Sequence, residues 1–181
     1  MDVTIQERKF SFASEYDVST PTGKYHARKK LFSLTDKLAL QAEDGSILVH
    51  IDGEFSPLRC RHQFRFADGR TFAFRCERLW KRVFTCIGNG ETYRLYEHRG
   101  LRYSIFLANQ QIAAFTKNRI VWGKGNRYEI RMNSNADLLV LLCIALTINS
   151  AESDKNDTSV TIDLGNIGPQ DRPFDESWVP R

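Results

Sequence analysis

The chain has 181 residues, of which 41% are hydrophobic and 12% aromatic, enough for one domain with a large core. The formal net charge is +4, and the four cysteines form no C-x-x-C pair and have no zinc-ligand spacing. The amino terminus lacks the apolar region of a signal peptide. These features exclude a disulfide-rich secreted scaffold, and we expect a cytoplasmic protein with reduced thiols.

The positive charge is unevenly distributed along the chain. Residues 151–181 contain three basic and seven acidic side chains, a net charge of −4. Because the whole chain has a net charge of +4, residues 1–150 have a net charge of +8. A basic body suggests an anionic partner, and an acidic tail could fold back and mask that body.

From residue 2 to about 132, short segments that alternate apolar and polar residues are separated by turns. Glycines mark many of these turns, as in Asp44-Gly45, Asp68-Gly69 and Asn89-Gly90. This pattern is typical of an antiparallel sandwich or barrel. The predicted strands are 3–9, 11–18, 24–32, 37–42, 46–51, 59–66, 71–77, 80–87, 91–97, 101–108, 111–116, 119–123 and 127–132.

One hairpin can be predicted in detail, on either side of Asp68-Gly69-Arg70. Aromatic residues alternate with basic ones in both arms, so one face is apolar and the other is basic. The predicted register pairs Phe64 with Phe74 and Arg61 with Glu77.

The most continuous apolar run comes late, from Leu138 to Ile148. Ser134, three residues before Asp137, is typical of a capping box, so we predict a helix over about 135–149. A helix of ~15 residues spans ~22 Å, less than the ~30 Å hydrocarbon core of a bilayer, so no transmembrane segment is expected. Because the run is apolar on every face, the rest of the chain must enclose it. The predicted fold is therefore mainly β, a closed antiparallel barrel around one buried C-terminal helix.

The order and spacing of several segments resemble the tubby C-terminal-like superfamily, which includes the LURP-one-related proteins and the phospholipid scramblases. The resemblance covers roughly residues 10–149 and depends on the following segments: 12–18, 37–41, 44–45, 47–51, 93–96, 103–105, 112–115, 128–130 and 137–139. It implies a twelve-stranded barrel around a hydrophobic helix, with no enzymatic activity. Tubby proteins bind phosphoinositides through basic surface residues, but no such motif aligns residue by residue here. The cysteine-rich and proline-rich segments of scramblases are also missing. The composition changes after Asn149, so we predict a domain over 1–150, followed by an acidic, largely irregular tail over 151–181.

The strongest functional signal is the density of basic residues between 59 and 82, where Trp80 lies among cations. Such a surface suits an anionic membrane or a phosphorylated group held by arginines. The predicted anion-binding residues are Arg61, Arg65, Arg75, Arg78, Trp80, Lys81 and Arg82. The alternative is an ordinary solvated barrel wall with Trp80 in the core.

Other functions have less support in the sequence. Four scattered histidines form no metal-binding pattern, and the glycine loops complete no phosphate-binding motif, so we expect no enzyme, no metal and no cofactor. Cys60 and His62 are predicted to pack in the core. Nucleic-acid binding would need outward aromatics, and a carrier of a small apolar ligand would need an empty lumen.

We therefore expect a cytoplasmic, tubby-like and scramblase-like barrel that binds anionic phospholipid, phosphoinositide or a phosphorylated partner and lies peripherally on a membrane. The alternative is a protein–protein interaction scaffold with no lipid binding.

Overall fold

The computed structural model describes residues 1–10, 13–29, 37–54, 61–78, 83–118, 126–156 and 172–181, with the backbone alone for 9, 10, 13, 78 and 149–156. These residues form twelve strands and one helix. The strands are β1 (Asp2–Phe10), β2 (Ala13–Thr20), β3 (Gly23–Lys29), β4 (Lys37–Ala42), β5 (Ile47–Gly53), β6 (Arg61–Phe66), β7 (Thr71–Arg78), β8 (Val83–Gly88), β9 (Glu91–His98), β10 (Arg102–Leu107), β11 (Gln110–Asn118) and β12 (Arg127–Met132); the helix α1 is Leu138–Asn156. The predicted strand 119–123 lies outside the described residues.

Each strand pairs antiparallel with the next along the chain, and β1 also pairs with β12, which closes the barrel. Closure leaves no exposed sheet edge. Gly45, Gly69, Gly90 and Gly100 lie in the connecting turns with positive φ, a conformation that costs glycine little. The predicted fold is confirmed.

Helix α1 fills the barrel. Every side chain from Val140 to Ile148 is at most 2% exposed, because inward aromatic and aliphatic residues from the strands enclose the helix on all sides. Among the described residues, no helix is both long and apolar enough to cross a membrane. The predicted position of the C-terminal helix, buried inside the barrel, is therefore confirmed.

The helix ends differ from the prediction. Asp137 is itself the N-cap, because its Oδ1 accepts the backbone N–H of Val140 at 3.1 Å. The predicted capping box with Ser134 is wrong, since the Ser134 hydroxyl donates instead to the carbonyl of Arg181 at 3.2 Å. The helix begins at Leu138 rather than near 135 and continues to Asn156 rather than ending near 149.

An ion pair joins the start of the helix to the rim of the barrel. Arg70, in the turn between β6 and β7, binds Asp137 and also Asp68, and its guanidinium lies 4.7 Å from the Phe66 ring centroid. These two carboxylates raise the pKa of the Arg70 guanidinium. Arg70 therefore has a structural task and is not available as an outward cation.

The β6–β7 hairpin has the predicted faces but a different register. Phe64 pairs with Phe72 and Arg61 with Arg75, whereas the prediction paired them with Phe74 and Glu77. The Phe66 N–H donates to the Arg70 carbonyl, and Gly69 has φ +90°, so the loop is a tight three-residue turn. The prediction also had a three-residue loop, at Asp68-Gly69-Arg70, but it paired Phe66 with Phe72 across it. Because the register differs by two residues, each side chain keeps its face, but its partner across the strands changes.

Candidate anion-binding wall

A row of outward side chains crosses the barrel wall from β6 to β9. Arg61 lies opposite Arg75, Arg75 opposite Thr85, and Thr85 opposite Arg94. We call Arg61, Arg75 and Arg94, with Thr85 between the last two, the arginine row. All three arginines are exposed, since the inward positions of these strands hold the core residues. The alternation of each strand thus places three cations side by side on one wall.

The charges of this row are poorly balanced. Arg61 has Glu54 at 4.0 Å, the outer limit of an ion pair. Within the part of the chain that the structure describes, neither Arg75 nor Arg94 forms an ion pair or a side-chain hydrogen bond. Like charges directly opposite each other on a sheet repel. The wall therefore holds cations whose partner the described protein does not supply.

Thr85 occupies an unusual place in this row. Its side chain is only 1% exposed although it lies on the outward face of β8, and its hydroxyl has no hydrogen-bond partner among the described residues. Ile87, two residues along the same face, is 38% exposed. This part of the wall thus combines cations, one buried hydroxyl and, beside the row, one exposed aliphatic side chain.

The predicted binding residues are only partly assembled here. Arg61 and Arg75 belong to the row, whereas Arg65 is bound to Asp52 at 2.5 Å in a neighbouring row. Arg78 ends β7, but its side chain is not described, and Trp80, Lys81 and Arg82 lie outside the described residues. Sequence reasoning missed Thr85 and Arg94. Both alternate outward in their strands, but only the strand register reveals that they adjoin Arg75.

The outer wall of β9 to β11 is quite different. Beside Arg102, its outward side chains include Tyr96, His98, Ser104, Phe106 and Ala114. The C-terminal segment 172–181 contacts three of them, Tyr96, His98 and Phe106. We call this surface the covered wall. The Phe174 ring centroid lies 5.1 Å from that of His98, and the Arg102 guanidinium lies 4.5 Å from the Phe174 ring. The segment is therefore packed against the covered wall.

The end of this segment is fixed by hydrogen bonds and an ion pair. Arg102 binds Glu176 at 2.8 Å, and the backbone N–H of Ser134 donates to the carbonyl of Arg181 at 2.8 Å. The Arg181 N–H donates to Oδ1 of Asn133 at 2.9 Å. The backbone N–H and the hydroxyl of Ser177 both donate to Oδ1 of Asp175, and these hydrogen bonds fix the local turn. They also lower the pKa of the Asp175 carboxyl.

The described part of the tail does not mask the arginine row. Its hydrogen bonds, ion pairs and ring contacts go to β9, β10 and residues 133–134. One of these contacts brings a cation towards the row: the Arg172 guanidinium lies 4.1 Å from the Phe106 ring, and Phe106 is the cross-strand neighbour of Arg94. The acidic residues Asp157, Asp163 and Asp171 lie outside the described residues.

Two cysteines in the described part of the chain, Cys86 and Cys143, are buried. Burial raises the pKa of the Cys86 and Cys143 thiols well above the usual range, which keeps both protonated at neutral pH. His62 is buried against Phe74, with ring centroids 6.3 Å apart, and Cys60 lies outside the described residues. In the described ranges, no group of three His, Cys, Asp or Glu side chains is placed to hold a metal ion.

Comparison with known families agrees with this architecture. The family model described as LURP-one-related matches residues 1–149, which span all twelve strands and most of the helix. The chain belongs to the LURP-one-related family. No curated protein and no solved structure shows a significant match to it. The predicted resemblance to LURP-one-related proteins is thus confirmed, and the segment 172–181 lies beyond the part matched by the LURP-one-related model.

Proposed function

We propose that this LURP-one-related protein is a non-enzymatic domain that binds anionic phospholipid, phosphoinositides included, through the arginine row. The observation that carries the proposal is the direct opposition of exposed Arg61 and Arg75, with exposed Arg94 further along the same row. Their mutual repulsion costs stability in the free protein, and a bound anion removes that cost. The resemblance to tubby proteins, which bind phosphoinositides through basic surface residues, supports the same conclusion.

The surroundings of the row suit a membrane surface better than an ordinary solvated wall. Ile87 exposes an aliphatic side chain between Ala73 and Thr92, which lie opposite it on the neighbouring strands. A basic surface with an apolar contact is the combination that holds peripheral proteins on anionic lipid. Each arginine near such a surface adds about 1 kcal/mol of attraction. Peripheral attachment needs no spanning helix, and Trp80, Lys81 and Arg82, which connect β7 to β8 in sequence, remain predicted participants.

A second candidate function, a protein–protein interaction scaffold, is favoured by the covered wall. That wall presents Tyr96 and Phe106 to a short segment of the same chain, so a partner peptide of similar composition could replace the segment. The arginine row has no role in this alternative. The two proposals therefore predict different effects of the same arginine substitutions.

Sedimentation with phosphatidylcholine vesicles that contain phosphatidylserine tests the proposal. The double variant Arg61→Gln/Arg75→Gln should bind about 30-fold more weakly than the wild type at low salt, because two cations are worth about 2 kcal/mol. Added salt should weaken wild-type binding strongly and the variant's binding much less. Vesicles of phosphatidylcholine alone should bind neither protein.

The control is Lys24→Gln/Arg131→Gln, which removes two exposed cations from β3 and β12, far from the row. It should bind almost as well as the wild type. Equal weakening in both double variants would mean that only net charge matters and would contradict a defined binding wall. A wild-type protein that ignores anionic vesicles while a pull-down yields a stable partner would favour the scaffold.

A further inference from the structure

We propose that Arg75, Thr85 and Arg94 form a site for a phosphomonoester group, and this inference deepens the proposed anion binding and rests on it. Thr85 lies directly opposite Arg75 on one side and Arg94 on the other. Facing residues of adjacent strands have Cβ atoms only about 5 Å apart. Both arginines are therefore direct neighbours of the same threonine, one on each adjacent strand.

The Thr85 hydroxyl distinguishes this place from a simple basic patch. It is buried on the outward face without a hydrogen-bond partner, which is costly for a polar group. Its described neighbours directly across both adjacent strands are arginines, which donate hydrogen bonds but cannot accept them. A hydroxyl between two donors lacks an acceptor, and a phosphate oxygen is an acceptor for all three.

The charge of the site matches a phosphomonoester better than a phosphodiester. A phosphomonoester carries about −1.5 to −2 charges at neutral pH and three terminal oxygens, whereas a diester carries one charge and two such oxygens. Two arginines balance the monoester, and the hydroxyl binds its deepest oxygen. Arg172, which lies over Phe106 beside Arg94, adds a further cation at the edge of the site. The bound group belongs to a lipid headgroup of the phosphatidic acid or phosphorylated inositol type, or to free phosphate.

The key variant is Thr85→Val, which keeps the shape of the side chain and removes only the hydroxyl. In phosphate-free buffer it should fold with an equal or higher Tm, because a buried unpaired hydroxyl disappears. Its binding to vesicles with phosphatidic acid should fall about tenfold or more, while its binding to phosphatidylserine vesicles of the same measured surface charge stays unchanged. Thr85→Ser should retain the preference, and Thr92→Val, an exposed position on the adjacent strand, should not alter it.

The outcomes separate this inference from the proposed function. If the wild type binds both vesicles equally well, or if Thr85→Val binds phosphatidic acid like the wild type, the phosphomonoester site is refuted while anionic lipid binding stands. If neither vesicle binds, the membrane function fails. In that case, thermal unfolding in inorganic phosphate against chloride at matched ionic strength decides. A stabilisation present in the wild type and absent in Thr85→Val would keep the site for a soluble phosphate, and equal shifts in both would refute it.

Discussion

The arginine row and the covered wall lie on neighbouring strands of one barrel and share β9, yet they differ in their exposure to solvent. The row leaves three arginines exposed on β6, β7 and β9. The covered wall has Tyr96, His98 and Phe106 in contact with segment 172–181, and its Ser104 and Ala114 are only 1% and 4% exposed. The boundary between the two runs along β9, between Arg94 and Tyr96.

This difference indicates which wall is free to meet a partner. The covered wall already has its partner in the same chain, with an ion pair, ring contacts and backbone hydrogen bonds. The arginine row has charges and a hydroxyl that the described protein leaves uncompensated. Helix α1 occupies the interior of the barrel. The comparison of possible binding surfaces is therefore between parts of the outer wall.

The largest expected effect comes from a substitution that prevents the barrel from folding and so destroys both surfaces. Leu142 is fully buried at the centre of α1, and Leu142→Asp places an unpaired charge inside the barrel. This costs several kcal/mol or more, comparable with the whole stability of a domain, so the variant should not fold. Circular dichroism and solubility measure the outcome.

Two controls define this test. Leu142→Ala should lose about 2–5 kcal/mol and still unfold cooperatively. Val179→Asp, at a position that is 67% exposed, should leave stability almost unchanged. A soluble Leu142→Asp protein with a cooperative transition near that of the wild type would show that the helix is not the core of the barrel.

The fold was predictable because its signals are local and repeat along the chain. Period-two alternation with glycine turns indicated antiparallel strands, and an apolar run without a polar stripe indicated an enclosed helix. The details that failed depend on single hydrogen bonds. Sequence alone could not tell that Asp137 caps the helix while Ser134 binds Arg181, since the competing partner is 47 residues away.

The candidate site was predictable only in part, for a related reason. Counting arginines identified Arg61 and Arg75, but it also counted Arg65 and Arg70, which are neutralised by Asp52 and by Asp68 with Asp137. Whether a cation is free depends on the strand register and on the turn geometry. Thr85 was missed because an outward threonine in a strand looks ordinary until its neighbours are known.

A second, smaller effect is expected from a substitution that disrupts the arginine row and leaves the covered wall intact. An added Cβ on Gly88 would lie 2.1 Å from the Thr71 carbonyl and 2.7 Å from Cγ of Phe72. Gly88→Ala must therefore push β8 away from β7, the pairing that places Thr85 opposite Arg75. We expect a loss of about 3 kcal/mol in urea unfolding, together with weaker binding to anionic vesicles.

Gly23→Ala is the matched control for this effect, because nothing lies within 4 Å of its added Cβ and its φ is not in the left-handed region. It should be neutral or slightly stabilising. If Gly88→Ala proved as stable as Gly23→Ala, the close β7–β8 approach on which the row depends would be wrong.

The smallest effect is confined to the covered wall. Phe174→Ala removes the ring that lies against His98 and Arg102, and it should weaken the docking of segment 172–181 by about 1–2 kcal/mol. Hydrogen exchange at the Ser134 amide reports this docking directly, because that amide donates to the Arg181 carbonyl. The amide should exchange faster in Phe174→Ala and at the wild-type rate in Val179→Ala. Binding to anionic vesicles should change less than twofold, since the described tail residues contact other strands and bring a cation towards the row. A several-fold gain in vesicle binding would instead mean that the tail masks the arginines, and the two walls would then act as one regulated surface.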